Sequence, residues 1–150
     1  MSMRLSSGRV KLSVAGLLLL TTLGCGGAGS ATSPLMGNYD GTVVNPGKTS
    51  QTVELTVNAA GTVTGRCTLL SLTSGAIMAR ANLTGTLNPA TREFAVAGGY
   101  QAFIPPPPDG SGTGPVTITG TLPAKNSANG TMQVQDSLTV LLGTIAPTPL

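Results

Sequence analysis

The residues able to do chemistry in this chain are few, and their types exclude most reactions before any fold is considered. Among its 150 residues there is no histidine. That removes Ser-His and Cys-His nucleophile pairs, imidazole general bases and zinc sites that depend on histidine. A four-cysteine zinc site is equally absent, because the only cysteines are Cys25 and Cys67. A Ser-Lys pair needs a desolvated lysine as its base. Lys48 and Lys125 instead stand in the polar, turn-like stretches "NPGKTS" and "PAKNSANG", where an ammonium stays hydrated. Glu54 and Glu93 are the only glutamates, and paired carboxylates can hydrolyse glycosides. Glu54 falls between Val53 and Leu55 on the polar side of an alternating run, and Glu93 follows Arg92 at the start of another, so surface positions account for both.

Ligand motifs fail in the same way. "DGSGTG", Asp109 to Gly114, holds one acidic side chain where a calcium loop supplies several carboxylate oxygens, and reads as a turn. "NPGKTS" ends like a phosphate-binding loop, but that motif needs a glycine five positions before Gly47, and Thr42 stands there. The net charge of +3 comes from Arg4, Arg9 and Lys11 in the first eleven residues. Beyond them Lys48, Arg66, Arg80, Arg92 and Lys125 balance Asp40, Glu54, Glu93, Asp109 and Asp136. Without a basic stripe beside Tyr39, Phe94, Tyr100 or Phe103, no nucleic-acid partner is expected, and no metal or cofactor either.

The basic head is followed by the uncharged run "LSVAGLLLLTTL", Leu12 to Leu23. As a helix it would span about 18 Å, too short for a hydrocarbon core of about 30 Å, so it reads as a signal peptide and not a permanent span. The run ends in "TLGC", with Gly24 directly before Cys25. This junction resembles the lipobox of bacterial lipoprotein precursors, although most members have leucine where Thr22 stands. The resemblance covers about the first 25 residues and implies that residues 1–24 are removed and that the Cys25 sulfur receives a diacylglyceryl group. A further acyl chain usually follows on the freed amino group, and two or more chains make a stable anchor. In enteric-type members an aspartate after the cysteine retains the protein at the inner membrane. Here Gly26 holds that position, so the resemblance implies a cell-envelope location at the outer membrane.

"GGAGSATSP", Gly26 to Pro34, offers no apolar anchor, and residues 25–35 read as a flexible tether. With Cys25 acylated, Cys67 is the only thiol left and no intramolecular disulfide forms. In "TVTGRCTLL" Cys67 is in phase with Val63, Gly65 and Leu69, so it reads as a small buried hydrophobe.

From residue 36 to 150 no run shows helical spacing, and apolar residues alternate instead. Val53, Leu55 and Val57 share one face, as do Ile77, Ala79, Ala81, Leu83 and Leu87, then Phe94, Val96, Tyr100, Ala102 and Ile104, then Val116, Ile118 and Leu122. Turn signals separate eight candidate strands near residues 37–44, 51–58, 61–70, 76–87, 93–104, 115–122, 130–135 and 138–142. The Pro- and Gly-rich segment Pro105 to Pro115 reads as a stiff hairpin loop. Short connections favour antiparallel neighbours. The fold expected is all-β, one antiparallel meander forming a small barrel, with a two-sheet sandwich as the alternative. Five glycines favour the barrel: Gly41, Gly65, Gly85, Gly98 and Gly120 all fall on inward positions, where glycine marks bends that curl a sheet.

Two functions remain. The first is a lipid-anchored envelope protein whose non-catalytic β domain has a structural or macromolecular interaction role. The second is a lipocalin-like carrier holding a small apolar ligand inside the barrel. Three of the four aromatics lie within Phe94 to Phe103, which favours a carrier, whereas the small inward residues favour a collapsed interior. A cavity of about 300 Å³ or more would separate them.

Overall fold

In the computed structural model of the chain, residues 35–103, 105, 112–125 and 127–149 are described, and their regular structure is entirely β. The strands are β1 (Gly37–Asn45), β2 (Thr49–Val57), β3 (Thr62–Ser71), β4 (Ile77–Leu87), β5 (Glu93–Ala102), β6 (Pro115–Thr121), β7 (Gly130–Gln135) and β8 (Val140–Pro147). Each pairs antiparallel with its sequence neighbours, and β8 returns to pair with β1, so the meander is a closed barrel and not a two-sheet sandwich.

Alternation decides which face of each strand is buried. In β2 the burial follows every second residue through Gln51, Val53, Leu55 and Val57, with Glu54 and Thr56 exposed between them. The interior is filled by Val53, Leu55, Val63, Leu83, Ile118, Met132 and Ile145, all at most 2% exposed, around the buried Cys67. Each such side chain contributes about 1.5–3 kcal/mol by leaving water. Threonines and charged residues cover most of the outside, the reverse of the apolar-out, polar-in pattern with which barrels cross membranes. The outward exceptions cluster on β8 and its neighbour β1, at Val140, Leu142 and Val44.

The inward glycines are sites of close approach between strands. A Cβ on Gly85 would fall on the Ala95 carbonyl oxygen, and one on Gly120 on that of Thr131. Gly65 and Gly98 meet the carbonyls of Glu54 and Asn82 in the same way. Strong coiling lays the neighbouring strand's backbone where an inward side chain would start, so only glycine fits. Gly130 and Gly143 take the same role, against the carbonyls of Thr121 and Thr42.

Three details depart from the sequence reading. β2 begins at Thr49, because Thr49 and Ser50 already pair with Asn45 and Val44. β8 runs to Pro147 and not 142, since the strand continues through Gly143, and Pro147 closes it opposite Tyr39. On β4 a bulge opposite Leu69 and Leu70 shifts the phase, so that Met78 is buried and Ile77 only half-buried.

The cylinder has two mouths. Leu35, the start of β1, the end of β8 and the β2–β3, β4–β5 and β6–β7 connections form the near mouth. The β1–β2, β3–β4 and β7–β8 connections and residues 112–114, just before β6, form the far mouth.

Candidate functional site

Among the described residues, those singled out for catalysis, Glu54, Glu93, Lys48 and Lys125, are not brought together. Glu54 is exposed on β2, paired across strands with Asp40 and Arg66. Glu93 is exposed at the start of β5, where its carboxylate accepts the Thr91 hydroxyl at 2.9 Å. Strands β3 and β4 lie between the two glutamates. Lys48 and Lys125 are exposed at opposite mouths. Cys25, the signal and nearly all of the tether lie outside the described residues, as do Asp109 to Ser111. Gly112 is buried, with the side chains of Leu69 and Ala79 directly beneath it.

At the far mouth the barrel encloses a polar cluster drawn from four strands and turns. The Cys67 sulfur lies 3.4 Å from the Tyr100 hydroxyl and donates weakly to Gln51 Oε1 at 3.9 Å. Gln51, 1% exposed, sends its Nε2 to Asp136 Oδ2 at 3.3 Å. The other Asp136 oxygen caps the β7–β8 turn, accepting the amides of Leu138 and Thr139 at 2.9 and 2.8 Å. Thr113 and Gly114 tie the chain before β6 to this end: the Tyr100 amide donates to the Gly114 carbonyl at 3.0 Å and the Ser137 hydroxyl to that of Thr113 at 3.2 Å.

Burial pushes the Cys67 thiol up to about 11, with a further push from Asp136, although the hydrogen bond with Tyr100 opposes it. Burial also raises the Tyr100 phenol, and its neighbours Cys67 and Asp136 add to that. A nucleophilic cysteine needs the opposite surroundings, cationic and partly exposed. The cluster satisfies a buried amide and holds two acids neutral.

The near mouth carries an open groove of about 630 Å³. Its walls are Leu35, Tyr39, the turn prolines Pro89 and Pro123 and the strand-end Pro147, and its cations are Arg92 and Lys125. Tyr39 donates its hydroxyl to the Leu35 carbonyl at 2.9 Å, holding the entering chain against the rim.

Arg92 owes its position to the β4–β5 turn. The Asn88 side chain accepts the Ala90 amide at 3.0 Å, the Asn88 carbonyl accepts the Arg92 amide at 2.8 Å, and Arg92 itself turns left-handed with φ at 63°. Its carbonyl then accepts the Leu122 amide at 2.9 Å, locking this turn to the β6–β7 connection. The Arg92 Nε is buried with no hydrogen-bond partner, and among the described residues no acidic side chain lines the groove. Arg92 thus brings to a groove with apolar walls a cation whose Nε lacks a partner. The groove was missed from the sequence because its walls come from separate connections; the signal available was a proline in two of those turns and another at the end of β8.

Comparison of the chain with protein-family models, with curated proteins and with solved structures finds no match.

Proposed function

We propose that the protein is a lipid-anchored component of the bacterial cell envelope, attached through Cys25 and held at the outer membrane. Its barrel then serves a structural or macromolecular interaction role without catalysis. The observation that carries this reading is the distribution of chemistry over the barrel. Its thiol is sealed inside with a raised pKa, and its two glutamates face outward with two strands between them. A nucleophile, a base and a charge-stabilising group have to converge for catalysis, and these do not. The filled interior also favours this reading over that of a lumen carrier, because Leu55, Ile118 and Met132 occupy the volume a ligand would need.

Photocrosslinking in intact cells tests the proposal, comparing wild type with Cys25→Ser. A tethered interaction module captures envelope proteins only when anchored. Turnover of an ester, glycoside or peptide by purified protein, abolished by Glu54→Gln or Glu93→Gln with the fold intact, would falsify it.

A further inference from the structure

We infer that the near-mouth groove is a headgroup site, in which Arg92 and Lys125 hold the phosphate of an anionic phospholipid; the lipid's source, the membrane carrying the Cys25 acyl chains, rests on the anchoring proposed above. The Arg92 guanidinium is the reason to expect a ligand. Burying part of a charged fork without a partner is costly, and the cost is recovered when an anion arrives. The other buried Nε without a partner, that of Arg80, belongs to a guanidinium stacked 5.3 Å over the Phe103 ring, so its charge is already engaged. The acidic groups nearest in sequence or at this mouth, Glu93 and Asp40, are not among the described residues lining the groove; Glu93 accepts the Thr91 hydroxyl and Asp40 the Thr148 hydroxyl at 2.7 Å.

The chemistry fits a phosphate diester with an apolar tail. A guanidinium fork matches phosphate oxygens, and a second cation on Lys125 adds a point charge. Leu35, Pro89 and Pro123 offer apolar surface for the glycerol and the first methylenes of the chains. Geometry brings lipid to the site. Leu35 lies at the groove, ten residues after Cys25, so a fully extended tether places this mouth at most about 35 Å from the acylated cysteine. A negatively charged leaflet then draws the two cations toward it.

The test uses the mature protein purified in a zwitterionic detergent and native mass spectrometry of the lipid it retains. The probes are short-chain phosphatidylglycerol and short-chain phosphatidylcholine. The expected result is saturable retention of one phosphatidylglycerol per chain, with phosphatidylcholine retained about tenfold less. Arg92→Gly keeps the left-handed turn while removing the guanidinium, and Lys125→Ala removes the second charge from an exposed position. Each should weaken retention about tenfold, the loss of one charge-assisted contact. Equal retention of the two lipids, or unchanged retention in both variants, overturns the assignment. Acylation of Cys25 is read separately from the intact mass of the same sample, so a chain without acyl groups overturns the anchor alone and the groove is still judged by its lipid.

Discussion

Gly41 of β1 stands directly opposite Ile145 of β8, and this meeting of first and last strands turns eight hairpin-linked strands into a cylinder. The ladder covers Tyr39 to Thr42 against Pro147 to Thr144. A Cβ on Gly41 would lie 2.7 Å from the Thr144 carbonyl oxygen and 2.6 Å from Met132 Cε, so closure at this seam requires glycine. Among the described residues the pairing runs from residue 37 to residue 147, and β1 to β8 close the barrel.

The same close approach makes the inward glycines intolerant of any side chain. Gly85→Ala and Gly120→Ala should each lower stability by about 1–3 kcal/mol through overpacking against a neighbouring carbonyl, and valine at either position by more. Gly99→Ala is the control, because nothing lies within 4 Å of the Cβ it adds. Urea denaturation midpoints check this: an inward variant matching the Gly99→Ala midpoint would mean that the strands relax around a side chain.

Stability should fall as pH rises through the alkaline range. The folded state holds the Cys67 proton more tightly than the unfolded chain, its pKa raised from 9.0 to about 11. That contribution is fully present below pH 9 and is lost as pH passes from 9 to 11, amounting to about 2–3 kcal/mol. The raised Tyr100 phenol adds a loss of the same sign above pH 10. Melting temperatures from pH 8 to 11 should show this slope, and Cys67→Ser should remove the part that begins near pH 9. A thiol reagent should react slowly with native protein and quickly in denaturant.

Arg92 occupies a left-handed conformation that costs a non-glycine residue about 1–2 kcal/mol. Glycine adopts it freely, which offsets the packing lost with the arginine stem. Arg92→Gly should therefore stay within about 1 kcal/mol of wild type, while Arg92→Val, with a branched Cβ, should lose about 2 kcal/mol or more. Equal midpoints for the two variants would show that the turn does not hold residue 92 left-handed.

Strand number, order and facing were legible because period-two alternation and turn residues are local signals. They place Val53, Leu55, Val63, Cys67, Phe94 and Ile118 inside, where the structure has them. The phase was lost where one extra residue enters a strand: the bulge at Met78 leaves no mark in the sequence beyond one more apolar residue. β8 extends beyond 142 because Gly143 is an inward contact glycine and Pro147 a strand end, and apolar alternation marks neither. Neither candidate site was legible. The far-mouth cluster joins Gln51 to Asp136 across 85 residues, and the groove depends on which turns share a mouth, which follows only from closure.

Attachment through Cys25 is read from the intact mass of the mature protein taken from its native membrane. The mature chain should begin at Cys25 and carry the mass of a diacylglyceryl group, with or without a further acyl chain, and a Cys25→Ser variant should carry none. A mature chain that begins elsewhere, or one in which Cys25 is a free thiol, would contradict it.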